Sequence, residues 1–164
     1  MRAKFLKNNS GYILVEALVA STIIVVGLLG IFSLLSQSLS LNKIVGERYI
    51  AVYLAMEGIE IVKNIIDNNV INDQPWNANL SSGTYEADYN DSSLEYLSNR
   101  PLYFNEQTGF YSYTGGEPTK FFRTIEIQQL GGGEEIKINS VVKWTTRGDA
   151  EFEVDLEDRF FNWR

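Results

Sequence analysis

From Ala17 to Asn42 the chain carries no charged residue. The centre of that stretch, Ala17 to Leu35, is almost wholly apolar and predicts one helix of membrane-spanning length, since a bilayer core takes about 20 apolar residues. Over 43–69 the pattern becomes two-sided. Val52, Ala55, Ile59, Val62 and Ile66 recur at helical spacing, and Leu54, Gly58, Ile61 and Ile65 form the adjacent row. Glu47, Arg48, Glu57, Glu60, Lys63, Asn64 and Asp67 make up most of the opposite side, with Glu60 and Lys63 spaced for a weak ion pair. Asp67-Asn68-Asn69, with Pro75 beyond, predicts the helix end.

Residues 70–100 are polar and turn-rich and are expected to form a loop between helix and sheet. Residues 101–164 then alternate at strand period. Pro101–Phe104 and Phe110–Tyr113 flank a hairpin loop at 105–109. In Lys120–Leu130, Phe122, Thr124 and Glu126 alternate with Phe121, Arg123, Ile125 and Ile127. Gly131-Gly132-Gly133 is a loop. In Glu135–Thr146 the apolar set includes Ile136, Ile138, Val142 and Trp144, and the polar Ser140 predicts a register shift, with a bulge. Arg147-Gly148-Asp149 reads as a turn rather than an adhesion motif. Ala150–Phe161 is a last strand, with Phe152, Val154 and Leu156 on one face. The expected class is α+β: a long N-terminal helix whose amphipathic half packs on an antiparallel sheet of about four strands.

Charge sharpens this division. The chain of 164 residues has a net charge of −7. Arg2, Lys4 and Lys7 make the first ten residues +3, so the remainder is −10. A basic flank before the apolar run places that end in the cytoplasm by the positive-inside rule. The acidic balance argues against direct nucleic-acid binding. The sequence contains no His and no Cys, which removes the commonest general base, thiol chemistry, disulfides and Cys-type metal sites. No nucleophile–base–orienter set, phosphate loop or cofactor fingerprint stands out, so a non-enzymatic role without a cofactor is expected.

One carboxylate sits at the edge of the apolar run. Glu16 follows Gly11 by five residues, in the string Lys4-Phe5-Leu6-Lys7-Asn8-Asn9-Ser10-Gly11-Tyr12-Ile13-Leu14-Val15-Glu16-Ala17. A charge next to hydrocarbon costs a few kcal/mol, on the order of 2.5–3.5 at a helix centre. The string resembles the prepilin leader of type IV pilins and type II secretion pseudopilins: a short basic leader ending in Gly, an aromatic, apolar residues, and Glu at the fifth mature position. The resemblance implies a leader over 1–11, a transmembrane and filament-core helix over 12–42, an amphipathic continuation over 43–69, and a pilin-like fold. It implies cleavage between Gly11 and Tyr12, N-methylation of Tyr12, and pairing of Glu16 with the N-terminal amine of a neighbouring subunit. The implied partners are a prepilin peptidase/methyltransferase, other pilin subunits and a membrane assembly platform. The implied places are the cytoplasmic membrane and an extracellular filament. The first mature residue is Tyr rather than the usual Phe, and the apolar helix has no proline. The tail, from Val142-Lys143-Trp144-Thr145 through Arg147-Gly148 and Leu156-Glu157-Asp158 to Phe161-Asn162-Trp163, also resembles PilV-like minor pilins.

Three other features have plainer readings. Asp88-Tyr89-Asn90-Asp91-Ser92-Ser93 is rich in oxygen ligands, and Asp88, Asn90 and Asp91 are candidate Ca²⁺ ligands. The string lacks the Gly and distal Glu of an EF-hand loop, so a solvated loop is favoured. Sixteen of the 21 aromatics lie at or after Trp76, where sheet core and cross-strand pairing account for most of them. The acids Asp149, Glu151, Glu153, Asp155, Glu157 and Asp158 suit the exposed face of an edge strand, with a basic protein partner as the secondary reading. The rivals to a filament subunit are a membrane-anchored extracytoplasmic binding domain that does not polymerise, and a secreted enzyme with an unusual leader.

Overall fold

The computed structural model describes residues 10–146 and 150–162. The basic leader residues Arg2, Lys4 and Lys7, the expected turn at 147–149 and Trp163 lie outside the described residues. The fold is α+β. One helix, α1, spans Ser10–Ile71, two residues beyond the expected stop. Eight strands follow: β1 (Gly83–Glu86), β2 (Glu95–Tyr96), β3 (Tyr103–Phe104), β4 (Tyr111–Ser112), β5 (Glu117–Pro118), β6 (Phe122–Leu130), β7 (Glu135–Thr145) and β8 (Glu151–Phe161). The chain divides into two compact units between Val45 and Gly46.

In the first unit every described residue from Gly11 to Lys43 is exposed. The helix there is long and apolar enough to cross a membrane, the one such helix among the described residues. Two of its hydroxyls are satisfied within the helix. Ser21 Oγ and Thr22 Oγ1 both donate to the Leu18 carbonyl, at 2.9 and 2.7 Å. Such back-bonding removes the cost of an unpaired hydroxyl in an apolar medium.

In the second unit the helix from Gly46 onward packs on an antiparallel five-stranded sheet of order β2-β1-β6-β7-β8. The apolar stripe is the buried side: Leu54, Ala55, Ile61, Val62, Ile65 and Ile66 are buried. The core falls into two clusters. One gathers Ile61, Val62 and Ile65 with Tyr85, Ile125, Ile127, Ile136 and Ile138. The other gathers Ala51, Leu54 and Ala55 with Leu102, Tyr113, Phe121, Val142, Trp144 and Val154. Glu60 and Lys63 pair at 3.4 Å on the exposed side, as their spacing predicts. Glu47 departs from the pattern: it is buried and forms an ion pair with Lys120.

Three expectations about the sheet are corrected. The main sheet has five strands rather than about four, and a separate three-stranded sheet of order β4-β3-β5 accompanies it. Two of the five strands, β1 and β2, come from within the expected loop. β1 pairs with β6 from Gly83↔Ile127 to Tyr85↔Ile125, and it is too short for alternation to reveal it. The 105–109 hairpin forms as predicted, with Tyr103↔Ser112 and Phe104↔Tyr111 paired, but its strands join β5 rather than the main sheet. The bulge at Ser140 is absent. β7 pairs in unbroken register with β6 and β8, and Ser140 stays on the buried face between Ile138 and Val142. The reason lies on the helix. A Cβ on Gly58 would sit 2.3 Å from Ser140 Oγ, so helix and sheet approach too closely there for larger side chains. The triple glycine turn also has a backbone reason, since Gly131, Gly132 and Gly133 all have positive φ (60°, 73° and 100°).

Candidate functional site

The residues that carry the prepilin resemblance lie at the start of α1. Gly11, Tyr12 and Glu16 are all helical and exposed, with Tyr12 at 77 %. Tyr12 and Glu16 are four apart, so both project from one face, a helical turn from each other. No group within the unit covers this segment. Its polar atoms and apolar side chains are open to whatever medium or partner surrounds it.

The oxygen-rich loop closes on itself. Asp91 Oδ2 accepts the Asp88 N–H at 2.7 Å, and the Asp91 N–H donates to the Asp88 carbonyl at 3.1 Å. The Asp88 carboxylate accepts the N–H groups of Tyr89 (2.8 Å) and Tyr113 (3.2 Å). These are Asx-turn and loop-anchoring bonds, and they tie 88–91 to the small sheet. Asn90 is exposed. Among the described residues no three acidic side chains gather as a metal-binding group.

The most developed polar constellation is one that sequence reasoning did not single out. Arg123, on β6, is 1 % exposed. It fills the gap between the two core clusters, beside Gly58. Its Nη1 donates to the Leu54 carbonyl of α1 at 3.2 Å, and its Nη2 donates to the Ala87 carbonyl at 2.7 Å. Nη1 also lies 3.3 Å from Glu57 Oε1, an ion pair without hydrogen-bond alignment. Tyr113 Oη donates to the Arg123 carbonyl at 3.1 Å. Burial, against the opposing field of Arg123, pushes the Tyr113 phenol up to about 12.

Glu86, at the end of β1, is equally buried. Its Oε2 accepts from Ser98 Oγ (2.8 Å) and Arg100 Nε (2.9 Å), and its Oε1 accepts the Ser98 N–H (3.1 Å) and the Arg100 N–H (3.4 Å). Burial is the largest single influence and would raise the carboxyl. The bonds from Ser98 and Arg100 together outweigh it and hold the group below its ordinary range. Arg100 in turn lies over the Tyr113 ring, 4.7 Å from its centroid, and pairs with Glu95 at 2.7 Å. One network thus joins helix, main sheet and the segment leading to β3. Its bonds fasten these three parts of the fold to one another. The sequence did carry one signal, a charged residue in the apolar row between Phe121 and Ile125.

The outer face of β7 and β8 carries most of the acidic stretch. Glu153, Asp155 and Glu157 are exposed there, Asp158 is exposed on the side of Leu156 and Phe160, and β8 is an edge strand as expected. Lys143 pairs with Glu153 at 3.2 Å, Lys137 with Glu157 at 2.9 Å, and Arg159 with Glu135 at 2.8 Å. Asn139 Nδ2 donates to Asp155 at 3.0 Å. In comparison with known proteins, no family model, no curated protein and no solved structure matches this chain.

Proposed function

We propose that this protein is a structural, non-enzymatic subunit of a type IV pilus or related filament, major or minor. The leader is cut after Gly11 by a prepilin peptidase, and the new N-terminal amine on Tyr12 is methylated. The mature subunit is held in the cytoplasmic membrane, with its N-terminal end facing the cytoplasm, until an assembly platform adds it to the fibre. Glu16 then pairs with the Tyr12 amine of a neighbouring copy, so that neither charge enters the apolar filament core alone.

The observation that carries this reading is the bareness of the N-terminal helix. Leu28, Leu29, Ile31, Phe32 and Leu34 are each about half exposed or more, with nothing in their unit to bury them. Such a surface needs lipid or other helices. A helix that exchanges lipid for neighbouring helices meets that need in storage and in the fibre alike. The prepilin-like string ahead of it supplies the device for releasing the leader without losing the helix.

A sheared surface fraction tests the reading in the native host. The tagged chain is expected in filaments released by shear, and Glu16→Ala is expected to remain in the membrane fraction with insertion unchanged. Wild-type chain that never leaves the membrane fraction would favour the anchored binding domain instead. Equal incorporation of Glu16→Ala would remove the role assigned to that carboxylate.

A further inference from the structure

Natural sheets keep their edge strands short, charged or covered. The β2 edge is short, with two residues. The β8 edge relies on charge: it has eleven residues, and among the described residues no strand lies beside it. Hydrogen bonds just beyond both ends of the β7–β8 ladder fix which backbone groups are free. The Asn162 N–H donates to the Glu134 carbonyl at 3.0 Å, and the Thr146 N–H donates to the Ala150 carbonyl at 3.1 Å. Since the register is unbroken, even-numbered residues of β8 turn their N–H and C=O toward β7. Glu151, Glu153, Asp155 and Glu157 turn theirs to the open edge, and so does Arg159, although its N–H is taken up by Asp158 Oδ1 at 2.8 Å.

Side chains give that edge a definite character. On its inner side Phe152, Leu156 and Phe160 are only partly buried and Asp158, between the last two, is exposed, so the core is unfinished there. On its outer side acids predominate, and Glu151 and Asp155 have no cationic partner among the described residues. Two hollows flank the strand. One of about 460 Å³ lies beside Glu151 and Glu153, with Phe122 and Lys120 in its wall. The other, of about 310 Å³, lies beside Phe160 and is lined by Ile66, Val70 and Trp76.

We propose that the β8 edge is a docking site for an extended segment of another protein whose residues alternate between basic and apolar. The segment adds a sixth strand. Its backbone pairs with the odd-numbered residues of β8, its apolar side chains cover Phe152, Leu156 and Phe160, and its basic side chains meet Glu151 and Asp155. Strand addition of this kind draws affinity from main-chain hydrogen bonds and specificity from alternate side chains. A second copy of this chain is a poor occupant. Two β8 edges placed together set acids against acids, and like charges directly opposite are destabilising.

The test uses the full chain in zwitterionic detergent and an acetylated, amidated peptide of five valine–lysine pairs. The peptide is expected to slow hydrogen exchange about tenfold or more at the amides of 151, 153, 155 and 157, and to leave the even-numbered amides unchanged. Asp155→Pro removes an outward N–H without touching the ladder to β7, and is expected to weaken binding about tenfold with the fold retained. Should that variant unfold, the double change Glu151→Lys and Asp155→Lys keeps the backbone and is expected to weaken binding by a similar factor. Equal binding of a peptide with the same residues in two blocks would overturn the proposal, because charge alone would then suffice. So would equal binding by the variants, protection at other amides, or the same amides being protected in the chain without peptide through self-association.

Discussion

Leu28 and Val62 lie on the same helix and meet opposite fates. Leu28 is 49 % exposed, whereas Val62 is fully buried. The apolar residues before Val45 form no stripe because they face every direction, and no single protein surface could cover them. Those after Gly46 leave gaps for Lys63, Asn64 and Asp67, and the covered side is the one facing the sheet. The comparison teaches that hydrophobicity alone does not locate a core. The angular distribution of apolar residues decides whether the cover comes from the chain itself or from outside it.

Substitutions that separate cover from composition sharpen this contrast. The largest effect is expected at Arg123. Arg123→Ala takes away the donors to the Leu54 and Ala87 carbonyls and leaves a cavity between two apolar clusters, and should cost about 3–5 kcal/mol in denaturant unfolding of the sheet unit. Gly58→Val comes next. Its added atoms collide with Ser140 and Arg123, and overpacking of this kind costs about 1–3 kcal/mol. The same change at Gly30, where an added Cβ meets nothing within 4 Å, should leave the sheet unit's unfolding within about 0.5 kcal/mol of wild type. A comparable loss at both glycines would break the comparison.

Smaller effects follow from the polar fasteners. Glu86→Gln should cost about 1–3 kcal/mol at neutral pH. Because the folded carboxyl titrates below its ordinary 4.5, Glu86 contributes stability above that pH and loses it as the pH falls through the folded value. Urea titrations below pH 4.5 should therefore show a shallower acid decline in Glu86→Gln than in wild type. Tyr113→Phe should cost about 1 kcal/mol for its bond to the Arg123 carbonyl. The raised phenol works in the opposite sense. Its contribution is complete below pH 10 and is lost as pH rises toward about 12, so the variant should lack that alkaline decline.

Much of this division was legible in the chain. The uncharged run, the two-sided stripe over 52–66 and the alternation of β6 and β8 each follow from side-chain periodicity, and each element forms where it predicts. The misreadings share a cause: they depend on contacts between elements. Ser140 looked like a register slip because its buried position makes sense only beside Gly58. Glu47 looked exposed because Lys120, its partner, lies far along the chain. Glu86 carries no signal in the sequence because strand β1 is short and its partners Ser98 and Arg100 come from irregular chain. Of the candidate sites, the Gly11–Tyr12–Glu16 string is a local pattern and needs no fold to be seen. The Arg123 network is a tertiary one, and a single charge in an apolar row was its only sign.

The proposed filament role requires that the exposed helix begin the mature chain, with residues 1–11 removed. Intact-mass measurement of the protein from native membranes tests this most directly. A species lacking residues 1–11 and carrying one added methyl group on the Tyr12 amine is expected. A full-length mass with Met1 to Gly11 retained in the native host would contradict it.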